Sequence, residues 1–243
     1  MPRQPDTAAH LPAKIPETND AAAWPAPTSE NGRIRRVTRA ELGTMARILA
    51  QAFYDDPLMR WMVPNDALRL QRLERVFGIS SHRIWLPQNE SYISDELVGA
   101  CAWMPPNTWH LGLLAQMRML PGFARALRGD LTRMLKLDTF LENRHPYEPA
   151  HWYLNAMGVV PAWQGRGCGT ALLQPVLARC DAEGVPAYLE TSTRRGRVLY
   201  ERNGFEVVEQ CRFADDGPPL WLMWREPQSE RRESVRVTPT ERA

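Results

Sequence analysis

The stretch that most constrains this chain is Val159-Val160-Pro161-Ala162-Trp163-Gln164-Gly165-Arg166-Gly167-Cys168-Gly169-Thr170. An apolar run from His151 to Val160 leads into it and an amphipathic run from Ala171 to Ala182 leads out. The pattern predicts a strand, a glycine-rich loop and a helix. Gly165, Gly167 and Gly169 carry no side chains, so backbone N–H groups there can close on a ligand. A helix N-terminus behind such a loop adds positive partial charge. The segment is suited to holding a pyrophosphate.

Two common phosphate-binding loops are excluded by direct inspection. A Walker loop ends in Gly-Lys-Ser/Thr, and here Gly169-Thr170 has no lysine. The dinucleotide fingerprint requires Gly-x-Gly-x-x-Gly, but the sixth residue is Thr170 counted from Gly165 and Leu172 counted from Gly167. The pattern present is Gln-x-x-Gly-x-Gly, carried by Gln164, Gly167 and Gly169 after the strand ending Val159-Val160-Pro161.

The rest of the chain supplies a scaffold for this loop. Residues 1–33 are rich in Pro, Ala, Thr and Asp without a sustained period, and residues 226–243 read the same way, so both are expected to be disordered tails. A single domain is expected over 34–225. It starts with a short strand, Ile34 to Val37, and a capping box, Thr38-Arg39-Ala40-Glu41. Helices follow at Leu42 to Phe53 and at Asp66 to about His82, with Asp55-Asp56-Pro57 as the break between them. Short strands are predicted at Ile84 to Leu86 and Ser91 to Ile93, and a stronger one at Val98 to Met104. Leu111 to Leu141 reads as helical with interruptions at Pro121-Gly122 and Gly129-Asp130. After the glycine loop come a strand at Ala187 to Thr191, a helix at Arg195 to Asn203, and a closing antiparallel pair at Phe205 to Cys211 and Leu220 to Trp224. This alternation predicts an α/β (α+β) sheet with helices on both faces.

Composition narrows the function classes. The formal net charge is +2, which gives no argument for nucleic acid. Cys101, Cys168, Cys180 and Cys211 are widely spaced with no Cys-x-x-Cys pair, so neither a metal site nor a disulfide framework is expected, and a reducing, cytoplasmic setting fits. No apolar run reaches the length of a spanning helix, so no membrane partner is expected.

The Gln164–Gly169 pattern, with Tyr200-Glu201-Arg202-Asn203-Gly204-Phe205 about thirty residues later, resembles the GNAT superfamily of N-acetyltransferases. Within it, Glu148-Pro149-Ala150 and Gly184 to Ser192 are similar to the puromycin N-acetyltransferases, mostly in elements on the cofactor side. The resemblance implies the GNAT fold, a mixed, mostly antiparallel sheet splayed between its fourth and fifth strands. It implies acetyl-CoA as cosubstrate, with Gln164, Gly165, Arg166, Gly167, Cys168, Gly169 and Thr170 at the pyrophosphate. It also implies Met157 and Val159 on the pantetheine arm through main-chain groups, Gly158 as a bulge between them, and the N–H near Met157 as oxyanion donor. Many relatives carry an asparagine before the last short helix, where this chain has Gly196 after Arg194-Arg195. Either arginine meets the CoA phosphates or the two form a solvated pair.

The implied reaction is direct transfer of an acetyl group to a primary amine of a small molecule, with Tyr200 protonating the thiolate. The base is open among Glu190, Glu148, His145 and His151, with Glu190 the first choice. Cys168 is read as a packing residue, with a covalent acetyl-Cys as its rival. Phe53, Tyr54, Trp61, Trp103 and Trp109 are candidate walls of the acceptor pocket. Asp55 and Asp56 either attract a cationic amine or form the turn before Pro57. Alternatives are a protein or peptide N-acetyltransferase and a non-catalytic acyl-CoA-binding domain. The chain is expected to be a monomer or homodimer.

Overall fold

The computed structural model describes residues 33–214 and 216–228. Apart from Arg33 and residues 226–228, the expected tails lie outside the described residues. The strands are β1 (Ile34–Arg36), β2 (Ser91–Ser94), β3 (Gly99–Met104), β4 (Trp152–Val159), β5 (Ala187–Thr191), β6 (Glu206–Arg212) and β7 (Pro219–Arg225). The helices are α1 (Leu42–Ala52), α2 (Pro57–Met62), α3 (Asp66–Ser80), α4 (Leu113–Leu127), α5 (Leu131–Glu142), α6 (Cys168–Glu183) and α7 (Arg194–Arg202).

The seven strands form one sheet in the order β1-β2-β3-β4-β5-β7-β6. Only β4 and β5 run parallel, and they pair only through Trp152↔Ala187 and Tyr153↔Tyr188. Beyond Tyr153 the two strands part, while β4 stays paired to β3 as far as Val159. The open edge of β4 is the wedge that the resemblance implies.

Helices cover both faces. On one face α1, α3 and α4 pack Met45, Ile48, Leu49, Leu73, Phe77 and Phe123 against Ala100, Ala102 and Ala156. On the other, α6 and α7 pack Leu172, Leu173, Val176, Leu177 and Tyr200 against Cys101, Trp103, Trp152, Leu189 and Met223. A third cluster joins Leu58 of α2 and Leu137 of α5 to Tyr188, Leu220 and Leu222. α6 presents its apolar stripe at helical spacing and stops at Gly184, which adopts φ +67 as a C-terminal glycine should.

Four expectations are corrected. Residues Ile84 to Leu86 are not a strand: Ser81–Trp85 continue α3 as a π-helical turn, and Leu86–Gln88 form a 3-10 turn. Trp85 is thereby buried, with its indole N–H donating to Asn155 Oδ1 at 2.6 Å. Asp55-Asp56-Pro57 is more than a break. Asp56 caps α2, accepting from the N–H groups of Leu58 and Met59, and Pro57 occupies the first helical position. Pro121 does not interrupt α4, because Met119, Phe123, Ala126 and Leu127 bury a common face on both sides of it. The interruption at Gly129-Asp130 does occur, as the 3-10 turn Arg128–Asp130.

The last correction concerns Gly158, which pairs in register with Ala100. The bulge lies earlier on β4. Trp103 pairs with Leu154 and Ala102 with Ala156, so Asn155 is the extra residue. The bulge turns Tyr153 and Ala156 toward the α1–α4 face, and Leu154 and Met157 toward α6. Gly158 is required for a different reason: a Cβ there would lie 2.5 Å from Ala52 Cβ at the end of α1.

Candidate active site

The wedge between β4 and β5 opens into a cavity of about 1260 Å3. At one end are the glycine loop, the first turn of α6 and the start of α7, through Gln164, Gly165, Gly167, Gly169, Thr170 and Arg195. Phe53, Phe77, Trp109, Met117, Leu120 and Tyr153 also line it. A separate groove of about 1100 Å3 between α3 and α4, rimmed by Arg75, Arg83, Arg118 and Arg125, shares no residue with the loop.

The loop geometry follows from its residues. Gly165 and Gly167 have φ +83 and +85, a region that side chains disfavour. Gly169 is needed for space, since a Cβ there would meet Leu199 Cδ2 of α7 at 3.0 Å. The first intrahelical bond of α6 runs from the Ala171 N–H to the Gly167 carbonyl at 3.0 Å. The preceding N–H groups of Cys168, Gly169 and Thr170 stand ahead of that ladder, at the positive end of a 16-residue helix. Gln164 Nε2 donates to the Val159 carbonyl at 2.9 Å, tying the loop to the strand.

The open edge of β4 can be read from two bonds. The Val160 N–H donates to Val98 on the β3 side at 2.9 Å, whereas the Val159 carbonyl faces the other way, toward Gln164. Main-chain groups alternate in direction along an antiparallel strand, so those of Met157, like those of Val159, face the wedge.

Other site residues fall into two groups. Tyr200, Glu190, Met157, Gly158 and Val159 all line the cavity, as do Arg194 and Arg195. Arg195 reaches the loop, its Nη2 lying 3.5 Å from the Cβ position of Gly165. Arg166 and Cys168 do not line it. The Arg166 guanidinium lies 5.3 Å from the centroid of the Trp163 ring, and Cys168 Sγ packs against Gly99 of β3. Burial, with the Glu96 charge adding, pushes the Cys168 thiol up to about 11. A thiol held protonated and turned into the core is a poor nucleophile, so the packing reading is the one that fits. Gly196 sits inside α7 rather than before it, its N–H bonded to the Thr193 hydroxyl at 3.0 Å.

Of the expected wall residues, Phe53 and Trp109 line the cavity. Trp103 is fully buried in the α6 core. Trp61 packs edge-on against Phe213 and donates to Asp216, outside the cavity. Tyr54 bonds to the Asp66 carbonyl.

The cavity carries charges of both signs. Its arginines, Arg194, Arg195 and Arg202, all belong to α7 beside the loop, whereas Asp55, Asp56, Asp138, Glu142 and Glu190 supply its carboxylates. Asp56 Oδ2 accepts from Ser192 Oγ at 2.6 Å, and burial raises its pKa against the opposing pull of its hydrogen bonds. Asp138 is reached by solvent within the cavity yet enclosed by protein, and that enclosure, with the Glu142 charge adding, raises its pKa to about 6. Tyr200 is buried, and burial, with Asp56 adding, keeps its phenol protonated well above the ordinary range. Sequence reasoning missed Asp138 and Glu142. Their spacing of four on a helix was the available signal.

The architecture is that of the GNAT acetyltransferases. Residues 120–207 match the family model described as an acetyltransferase (GNAT) domain. The chain is 27% identical over 208 residues to an uncharacterised N-acetyltransferase of Schizosaccharomyces pombe, a match spanning 81% of this chain and 84% of the relative. A Corynebacterium glutamicum structure described as histone acetyltransferase HPA2 and related acetyltransferase superposes with a TM-score of 0.61 at 24% identity, over 86% of this chain and 99% of that one. The polyamine N-acetyltransferase of Drosophila melanogaster, which forms N-acetylagmatine, gives 0.53 at 18% identity, over 80% and 99%. Together these findings show the GNAT fold and a likeness to its acetyltransferases. Among the described residues, no helix is long and apolar enough to cross a membrane, and no cluster of three or more His, Cys, Asp or Glu is placed to hold a metal ion.

Proposed function

We propose that the protein transfers an acetyl group from acetyl-CoA to the primary amine of a small cationic molecule. The observation that carries this reading is that one continuous cavity holds both signs of charge, with arginines and a helix N-terminus beside the loop and carboxylates from the turn before α2, from α5 and from β5. A polyanionic cofactor and a cationic acceptor are each met by opposite charge, and their reactive ends converge at the wedge.

The cofactor end fits CoA on the chain's own groups. The N–H groups from Gly165 to Thr170, with Arg195, take the pyrophosphate. The edge of β4, through the Met157 main chain and the Val159 N–H, takes the pantetheine arm as an added strand, the Val159 carbonyl being held by Gln164. Acetyl-CoA supplies the activated thioester, and the Met157 N–H is placed to receive the charge that builds on the carbonyl oxygen. Cys168 contributes its N–H alone, and Arg166 contributes at most long-range charge.

Tyr200 is the proton donor to the departing sulfur. Its burial makes a free phenolate costly, so the phenol gives up its proton only as another returns from the reacting nitrogen. Glu190, on β5 at the wedge, takes the first proton from the ammonium form of the acceptor. The likeness to puromycin N-acetyltransferases lies around the loop and β5, and so bears on the reaction rather than on the acceptor. The fold also carries polyamine acetylation in the Drosophila enzyme, so it admits a cationic acceptor. We assign the protein to the cytoplasm, as a monomer or homodimer.

The test is a screen of cationic amines with acetyl-CoA, read by released thiol, followed by Tyr200→Phe on any accepted amine. The expected loss in kcat is at least about tenfold, about 1.4 kcal/mol, with unchanged thermal stability. A smaller loss removes the acid role. No turnover of any amine removes the acceptor class.

A further inference from the structure

One buried cluster at the wedge is only partly used by this mechanism. His145 follows α5 and is held by its N–H to the Leu141 carbonyl at 2.9 Å. Its ring stacks on Trp109 with centroids 3.8 Å apart, and is flanked edge-on by Tyr153 and Tyr188 at 4.6 and 4.7 Å. His145 Nε2 lies 3.0 Å from His151 Nε2, and His151 Nδ1 lies 2.8 Å from the Pro149 carbonyl oxygen. On the other side, His145 Nδ1 faces Glu190 Oε1 at 3.8 Å. That oxygen is buried, has no hydrogen-bond partner, and belongs to a residue lining the cavity.

Hydrogen-bond direction can be assigned along this chain. A carbonyl only accepts, so His151 Nδ1 carries a proton and donates to Pro149. Burial holds His151 toward its neutral form, which leaves its Nε2 as an acceptor. His145 Nε2 must therefore donate to it. His145 Nδ1 then meets Glu190 Oε1. With the ring neutral and the carboxylate charged, two lone pairs face each other in a buried site, where the Tyr153 and Tyr188 hydroxyls are the other donors beside Glu190. One added proton, on either atom, turns that opposition into an attraction. The gap between His145 and Glu190 is a vacancy for one proton.

We propose that Glu190, His145 and His151 form a single proton-accepting unit, in which Glu190 faces the acceptor amine and the two histidines fix the direction of transfer. The acceptor's ammonium N–H bond breaks, and its electron pair stays on nitrogen for attack. The proton passes to the Glu190–His145 gap and leaves to water in the cavity after turnover. His145 and His151 are positioning residues that act through Glu190. The charged or titratable groups around them are Glu190 and Tyr188 of β5, Tyr153 of β4, Glu148 before it, and, more remotely, Asp138 and Glu209. The catalytic part of this proposal rests on the acetyltransferase reading above. The hydrogen-bond order does not.

The first experiment is long-range 1H–15N correlation NMR on the full chain labelled at its five histidines, with Glu190→Gln and His151→Asn used for assignment. His151 is expected as the neutral Nδ1–H tautomer, and His145 as a ring whose Nε2 stays protonated. In Glu190→Gln, the His145 ring 15N shifts at a fixed pH are expected to move, Nδ1 most of all. A His151 ring protonated on Nε2, or a His145 ring indifferent to Glu190→Gln, overturns the unit.

Kinetics on an accepted amine supply the second arm. His151→Leu removes the acceptor for His145 Nε2–H and is expected to lower kcat at least about tenfold with little change in KM, and to displace the acid limb of the pH profile. His151→Asn keeps an acceptor oxygen and is expected to restore most of that loss. Equal losses in the two variants mean that the histidines only pack, and overturn the relay. A parent chain that binds acetyl-CoA but acetylates no amine removes the acetyltransferase reading and the catalytic role with it, while the ring tautomers still decide the hydrogen-bond order.

Discussion

At the scale of single residues, the site is built by exclusion of side chains as much as by their presence. Gly158 shows this best. It lines the wedge, and the position of its missing Cβ is 2.5 Å from Ala52 Cβ and 3.4 Å from both Leu49 Cδ2 and Phe53 Cε2. These neighbours belong to the buried face and end of α1, which cannot move without disturbing Met45, Ile48 and Leu49 in the core. Gly158→Ala is therefore an overpacking change, expected to destabilise by about 1–3 kcal/mol. At about 2–4 °C per kcal/mol for a domain of this size, calorimetry should resolve the drop in Tm. An unchanged Tm would mean that α1 yields freely and that the close approach is not enforced. The sequence singles out Gly158 as special but not the reason for it. An expected bulge and an expected contact with a helix place the same demand for a glycine on one position.

At the scale of elements, long periodic segments were legible and short or tertiary-driven ones were not. The order β4, loop, α6, β5, α7 could be read because apolar runs, the loop glycines and the stop at Gly184 reinforce one another. α2 was missed because six residues carry too little periodicity, although Asp56-Pro57 is a sound start signal. The π-helical turn at Ser81–Trp85 was misread as leading into a strand because Ile84, Trp85 and Leu86 look strand-like, and only the contact of Trp85 with Asn155 decides otherwise. The bulge at Asn155 has no local signature at all. α5 carries a further element-scale consequence. Asp138 has its pKa raised to about 6 by enclosure and by Glu142, against about 3.9 for the unfolded chain. Between those values the folded state binds more protons than the unfolded one, so this group's contribution to stability falls as pH rises from about 4 to about 6, and then levels off. Asp138→Asn should remove that fall. Its Tm relative to the parent is expected to rise from pH 4 to pH 7, and a difference that is flat or declines with pH would refute the assignment. Affinity for a cationic acceptor should run the other way, weakening in the parent below about pH 6 as the carboxylate is neutralised.

At the scale of the whole molecule, the sheet holds apart two surfaces that have little direct contact with each other. α6 and α7 cover one face and carry the loop, while α1 to α5 cover the other and carry the acidic and aromatic walls. The cavity opens where β4 and β5 part, because β5 pairs with β4 through Trp152 and Tyr153 alone while it stays paired to β7 along its whole length. A ligand filling the wedge would connect elements from both faces along an edge of β4 that the fold itself leaves unpaired. Its binding should therefore appear as global stabilisation rather than as local ordering. For acetyl-CoA at 1 mM and a Kd of about 10 μM, the expected gain is about 2.7 kcal/mol, or about 5–10 °C in Tm. ATP and NAD carry the pyrophosphate but lack the pantetheine arm. They are expected to give a small fraction of that shift, since they reach the loop without reaching Met157 and Val159. Gly167→Asp should abolish the shift by placing a charged side chain at φ +85 and negative charge at the helix N-terminus, with Tm in the absence of ligand measured alongside to account for strain. If ATP matches acetyl-CoA, the loop binds phosphate but the open edge of β4 has no role. If neither shifts Tm, the wedge is not a CoA site, and the functional reading built on it falls.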